Sequence, residues 1–366
     1  MTYGIVSDLH CHKWSVFSTT SGDGVNSRLR IILDELESAA GAIGAAGGNT
    51  LIIAGDINHV RGSLDPEVLN PLQDSIRRIL DSGVNIYFIP GNHDLAGEET
   101  TMLGSTAQTL SETFSSEGTI TAINTSRLVK SGDSHFAFVP WCSTTEKLLA
   151  EIQKLSEKAL LDGTLAKTDL IIHAGIDGVL DHMPSRGLTA ARLATFGFRY
   201  VFAGHYHNHK DLGSGVYSIG ATTHQSWSDV GALAGWILVG EDAEVVHVSS
   251  CAPAFVDVSE LDEELTKEVC KGNYIRYRGM EMTSAELKEK RQLFVDNGAL
   301  GVSIQAPKKA AATRTTTPTS SGMSIDKSVA KYVDEWKEIP THVSRDEVKK
   351  LCLEILASTL AVHEEA

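Results

Sequence analysis

Paired thiols are absent from this sequence. Its five cysteines (Cys11, Cys142, Cys251, Cys270 and Cys352) are scattered, and none forms a C-x-x-C. An odd, unpatterned set argues against a disulfide framework and a structural cysteine zinc site, and it suits a reducing compartment. Long apolar runs are missing as well: none approaches the ~18 residues that suggest a membrane span. Nor is there a charged segment followed by an apolar one at the start, as a secretory leader needs. The expectation is a cytoplasmic protein, or one working in a host cytoplasm, with no membrane partner. Positive charge is also short, with 32 Lys and Arg against 47 Asp and Glu and a formal net charge of −15. Such a chain does not attract nucleic acid by its bulk field, although metal ions in a site reverse the field locally.

What is present is ordinary for a soluble globular protein: 42% hydrophobic and 22% charged residues over 366 positions. That length holds one large domain, or a domain with smaller appendages. From residue 3 to about 240, apolar strands alternate with helical stretches. "YGIVSD" is followed by the amphipathic "NSRLRIILDELESAAGAIGAAG", then "NTLIIAGD", then "NPLQDSIRRILDSG" closed by Gly83, then "VNIYFIPGNHD". "HFAFVPW", "DLIIHAG", "YVFAGHYH", "GVYSIGAT" and "AGWILVG" come later. The pattern predicts an α/β layered fold over residues 1–243, with polar clusters at the C-terminal ends of strands, where open α/β sheets bind ligands. Residues 244–306 read as a small α+β domain built around "YIRYRG", "SAELKEKRQLFVDNG" and "LGVSIQAP". Residues 307–324 lack apolar periodicity and read as a flexible linker. Residues 325–366 hold two amphipathic helices that bury little alone and dock either on this chain or on a partner.

The stretch "SDLHCHKW" places four potential metal ligands, Asp8, His10, Cys11 and His12, within five residues. In extended chain Asp8, His10 and His12 share one side and Cys11 faces the other. The stretch is a compact zinc knot, half of a larger site, or a polar strand end, and the rest of the chain decides which. Similar clusters follow other strands: "GD" at 55–56, "GNHD" at 91–94, "HAG" at 173–175 and "GHYH" at 204–207. Each offers carboxylate, amide or imidazole donors. Two metal ions held close together, with one bridging carboxylate, need about this inventory.

In this order the clusters resemble the calcineurin-like metallophosphoesterase superfamily. The resemblance implies a four-layer α-β-β-α sandwich with a small α+β cap and C-terminal helices, and two divalent ions, with Mn²⁺ the expected kind. It implies one ion held by Asp8, His10, Asp56 and His207, and the other by Asp56, Asn92, His173 and His205. It makes His93 the catalytic histidine, with Asp94 orienting its imidazole.

Protein phosphatases of the superfamily carry GDxxDRG and GNHE, whereas this chain has "GDINHVRG" and "GNHD". His59, three residues past Asp56, is similar to a histidine of the double-strand-break repair nucleases, to which bacterial SbcD belongs. There it helps to position the substrate phosphate; otherwise it is a solvated loop histidine. "FAFVPW" and "YSIGATTHQSW" resemble the bacteriophage and SbcD-type members too. This likeness implies a DNA exonuclease or endonuclease of repair or recombination. Its cap binds DNA, its tail helices dock on an SbcC-type ABC ATPase, and it forms a homodimer. Lys13, Arg61, Arg186 and Lys210 lie near the clusters in sequence and are the cations available to a phosphate backbone. His12 and Lys13 are either a phosphate contact or a solvated pair, and "DLHCHKW" departs from the D-x-H-L-G usual in the repair nucleases. Two competing functions stand beside the nuclease: a small-substrate phosphodiesterase acting on cyclic nucleotides or similar esters, and a non-enzymatic scaffold.

Overall fold

A computed structural model describes residues 2–111, 117–181, 183–259, 263–305, 325–336 and 343–364. The linker expected at 307–324 lies outside them. Strands and helices are numbered in chain order. β1 (Tyr3–Val6), β2 (Thr50–Ile53), β3 (Asn85–Phe88) and β4 (Ile120–Ala122) pair in parallel. β5 (Arg127–Ser131), β6 (Ser134–Val139), β7 (Thr168–His173), β8 (Tyr200–Gly204), β9 (Lys210–Asp211) and β10 (Val216–Ser218) form a second sheet. β11 (Gly235–Val239) and β12 (Val245–Ser249) return to the first, so the orders are β12-β11-β1-β2-β3-β4 and β5-β6-β7-β8-β10-β9. The first sheet has antiparallel strands at one edge, β11 and β12, and the parallel β4 at the other, whereas the second has an antiparallel strand at each edge, β5 and β9.

Period-two alternation sorts the side chains into layers. Tyr3 and Ile5 of β1, Phe136 and Phe138 of β6, Ile171 of β7 and Phe202 of β8 fill the space between the sheets. Val6, Leu51 and Ile53 point the other way, under α1 (Ser27–Ala45) and α2 (Pro66–Asp81). The short α3 (Thr106–Ser111) adds Leu110 to that core. On the far face Ala137, Leu170 and Ile172 meet Leu148 and Ile152 of α4 (Thr145–Leu161) and Leu193 of α5 (Ala190–Ala194). The result is the four-layer α-β-β-α sandwich.

Helix ends follow local chemistry. The Asn26 side chain accepts from the Arg28 and Leu29 N–H groups and starts α1. α2 begins earlier than the apolar pattern suggests, because Asp65 caps it and Pro66 takes the first turn, where no N–H partner is needed.

A smaller parallel sheet follows, β13 (Phe255–Val258), β14 (Tyr274–Tyr277) and β15 (Gly301–Ile304), with α6 (Glu263–Cys270) and α7 (Ser284–Asp296) between its strands. Phe294, Tyr277 and Val302 form its own core. An aromatic seam joins it to the segment after β1. Phe17 stacks on Tyr274 with ring centroids 5.4 Å apart. The buried Arg28 guanidinium lies 5.0 Å from the rings of both Trp14 and Phe255. By packing, the chain divides into residues 1–309 and 310–366. The second unit is a helical pair, α8 (Ile325–Glu335) and α9 (Arg345–Glu364), joined by Arg345 donating to the carbonyls of Val333, Asp334 and Trp336. Among the described residues no helix is long and apolar enough to cross a membrane.

One polar tie crosses the central core. Tyr3 on β1 donates to Asp169 on β7 at 2.5 Å, and Arg199 grips the same carboxylate through Nε (2.8 Å) and Nη2 (2.5 Å). Asp169 is fully buried. Asp169→Ala, which strands both donors, should lower stability by about 3–5 kcal/mol. Tyr3→Phe keeps the Arg199 pair and should cost about 1 kcal/mol. Urea unfolding midpoints check both, and equal losses would refute the ranking.

Candidate metal centre

Each ligand candidate sits just past a strand: Asp8 and His10 after β1, Asp56 after β2, Asn92 after β3, His173 at the end of β7, and His205 and His207 after β8. The backbone does more here than alternate. Asp8, His10, Asp56 and His205 have φ of 52°, 46°, 54° and 100°, in the left-handed region that non-glycine residues avoid. The extended-chain reading of "DLHCH" is therefore corrected: the strand ends at Val6, and a twisted segment delivers Asp8 and His10 to the centre. Cys11 does point away, buried, with its thiol pushed by burial up to about 12. The glycines make room for this convergence. A Cβ on Gly91 would lie 2.2 Å from Asp56 Oδ1, and one on Gly204 would lie 2.1 Å from Ser7 Oγ.

Two groups of donors result. Potential ligand atoms of Asp8, His10 and His207 lie within 4.8 Å of one another, and so do those of Asp56, His173 and His205. Asp56 sits between the groups, with Oδ2 3.3 Å from His173 Nε2 and 3.7 Å from His10 Nε2. Its Oδ1 accepts from the His93 N–H at 2.8 Å. Asn92 joins the second group, Oδ1 lying 3.0 Å from His205 Nδ1.

The arrangement fits divalent ions. Asp8 Oδ1 is buried without a hydrogen-bond partner, His173 Nε2 has only its 3.3 Å contact with Asp56 Oδ2, and both atoms belong to the donor groups. An orphan such as Asp8 Oδ1 is costly unless something completes it. Burial pushes His10 down to about 3, and burial with His173 nearby does the same to His205, so both are neutral imidazoles able to ligate. Carboxylate, imidazole and amide donors without thiolate suit Mn²⁺, Zn²⁺ or Fe²⁺ rather than a structural zinc cluster.

Other groups aim these donors. His173 Nδ1 lies 2.7 Å from the Ala54 carbonyl oxygen, which directs Nε2 toward Asp56. His207 Nδ1 lies 2.8 Å from Asp229 Oδ1. Burial alone would disfavour the charged His207, but that bond and the nearby Asp8 hold its pKa above the ordinary value. Sequence reasoning did not find Asp229. It stands in "HQSWSD", where it closes a capping box with Ser226, so its sequence signal reads as a local turn.

His93 is half-buried, with Nδ1 2.6 Å from the His59 carbonyl oxygen. That bond, and not Asp94, orients the ring. Asp94 turns inward and accepts from the N–H groups of Asp56 (2.7 Å), Gly91 (2.9 Å) and Asn58 (3.1 Å). Burial and the adjacent Asp56 push it up to about 7 against these donors. It ties the "GD" loop to the "GNHD" loop instead of touching the imidazole. Ring nitrogens of His59, His93 and His10 come within 4.8 Å of one another. The His59 ring packs 4.5 Å from Trp14 and 5.0 Å from His12. Lys13 is engaged: its ammonium is 2.8 Å from Asp65 and also paired with Glu67. Lys210 donates to the Gly178 carbonyl at 2.8 Å. Arg61 is exposed on the loop after His59.

A family model described as calcineurin-like phosphoesterase matches residues 1–209, more than half of the chain. Together with the donor groups, this makes the protein a metal-dependent phosphoesterase, a hydrolase. It belongs to the calcineurin-like phosphoesterase family. Among solved structures it is similar to a dimetal phosphatase from Danio rerio, at 12% identity and a TM-score of 0.38, covering 68% of this chain and 98% of that one. No curated protein sequence matches it.

Because Asp229 fixes the His207 tautomer, Asp229→Asn should weaken Mn²⁺ binding by about 10–100-fold with the fold intact. Calorimetric titration alongside circular dichroism measures this, and wild-type affinity in the variant would refute the orienting role.

Proposed function

We propose that the protein is a Mn²⁺-dependent DNA nuclease of the SbcD type, cutting phosphodiester bonds as exonuclease or endonuclease in repair or recombination. The observation that carries the reading is the His59–His93 couple beside the donor groups. The His59 carbonyl oxygen fixes His93 Nδ1 as the donor atom, so Nε2 is left to exchange a proton with substrate. When bound, two divalent ions lower the pKa of water and offset phosphoryl charge. Asp8, Asp56, Asn92, His10, His173, His205 and His207 hold them. His93 gives its proton to the leaving ester oxygen. The His59 ring, packed on Trp14 and His12, faces the same space and supports the phosphate-positioning role that the family likeness suggests.

The small β13-β14-β15 sheet supports a DNA-facing cap, since the Phe17–Tyr274 and Arg28 contacts seat it against the segment that carries His12 and Trp14. In the helical pair Tyr332, Trp336 and Leu351 are 67%, 40% and 57% exposed, which supports docking on an ATPase partner. A homodimer belongs to the same reading. The net charge of −15 and the engaged Lys13 favour the second reading, a phosphodiesterase for small esters.

Purified protein with Mn²⁺ is incubated with labelled single- and double-stranded DNA and with bis(p-nitrophenyl) phosphate. Cleavage of both DNA and ester is expected; cleavage of the ester alone would exclude the nuclease. His93→Ala should bind Mn²⁺ normally and lose about 10²–10⁴ in kcat. Retained turnover would remove His93 from its acid role.

A further inference from the structure

Beside the His205 end of the centre lies a cleft of about 90 Å³ that none of the roles above uses. Trp141, two residues past β6, lines it, and Gly175, Leu188 and Arg186 are among the other lining residues. His205 also lines it.

Trp141 is held firmly for a half-exposed residue. Its backbone N–H donates to the Pro90 carbonyl at 3.0 Å, its indole Nε1 donates to the Glu98 carbonyl at 3.2 Å, and its own carbonyl accepts from Thr100 Oγ1 at 2.9 Å. The ring stands 5.4 Å from that of His205, tilted by 36°. All polar groups of the residue are thus satisfied within the protein, and the ring's contribution to the cleft is an aromatic surface.

Arg186, like Arg61, differs from the engaged lysines near the site. Its loop is stapled by Asp177, whose carboxylate accepts from the N–H groups of Arg186 (2.8 Å) and Gly187 (2.9 Å) and from Ser185 Oγ (2.6 Å). The guanidinium itself is exposed and has no hydrogen bond or ion pair among the described residues. Lys13 and Lys210 are engaged, and Lys147 at the start of α4 is paired with Glu99. An exposed arginine without a carboxylate partner beside the centre is available to an incoming anion.

A fixed aromatic ring and an unengaged guanidinium at one cleft match a base and a phosphate of a single strand. We infer that this cleft receives the nucleotide flanking the scissile phosphate, its base against Trp141 and its outer phosphate against Arg186. The substrate class is then a nucleic-acid strand with an unstacked base next to the cut. This rests on the phosphodiesterase reading above and extends it to recognition.

Labelled single strands carrying one abasic residue, moved stepwise past the cleavage position, test the base contact. In the wild type, one flanking position should lower kcat/KM by roughly 10-fold. That penalty should vanish in Trp141→Ala and persist in Trp141→Phe. Arg186→Gln, an exposed change, is combined with His93→Ala so that the strand stays uncut. Its slope of log Kd against log salt should fall by about 1. An abasic penalty unchanged in Trp141→Ala, or a salt slope unchanged in Arg186→Gln, overturns the assignment. If the wild type cuts no DNA, the nuclease reading fails by itself, and the cleft is judged on two esters. The kcat/KM ratio of bis(p-nitrophenyl) to ethyl p-nitrophenyl phosphate should then fall about 5-fold in Trp141→Ala. A constant ratio overturns the cleft as well.

Discussion

Two carboxylates, Asp8 and Asp56, are buried to 0% and 2% exposure, and among the described residues no lysine or arginine pairs with them. The rest of the centre follows from that constraint. Burial raises the pKa of Asp8, and its Oδ1 has no donor. Around the pair stand imidazoles of two kinds: burial holds His10 and His205 down to about 3, whereas at His173 burial is outweighed by Asp56, which holds it up to about 9. Divalent cations suit such a cluster of buried carboxylates and imidazoles. Left-handed backbone at four ligand positions adds about 1–3 kcal/mol of strain each. Ligand binding to the folded state offsets such costs by mass action, which couples the fold of the core to its metal load.

Imidazole orientation is settled one acceptor at a time. The Nδ1 atoms of His173, His207 and His93 face the Ala54 carbonyl, the Asp229 carboxylate and the His59 carbonyl. In each ring Nε2 is the atom left for chemistry, and its basicity is graded by its partner. The carbonyl partners are backbone atoms of the loops that also bear Asp56 and His59, so those loops place ligands and tautomers together.

Much of this was legible because strand-end sites are written locally. "YGIV" followed by "SD", or "LIIA" followed by "GD", carries both the buried strand and the polar turn within a few residues. The family match and the four-layer packing agree with that reading. What escaped depended on distant partners. Asp94 lies next to His93 in sequence, yet three backbone donors draw its carboxylate inward. Lys13 reads as an available cation until Asp65 and Glu67, more than fifty residues on, are folded against it. Asp229 is a ligand orienter disguised as a helix cap. Regular alternation after Val6 failed because the backbone there is left-handed at Asp8 and again at His10.

The place of β1 has a consequence for synthesis. It is made well before β11, yet it lies inside its sheet, parallel to β2 on one side and antiparallel to β11 on the other. Ribosomes add about 5–20 residues per second, so roughly 10–50 s separate β1 from the strand that covers its open edge. Through that interval the nascent chain carries an apolar ribbon with a bare flank, and for most of it Tyr3 has no Asp169 to meet. β1 stays open to mispairing until β11 is made, because β11 is the strand that closes that flank.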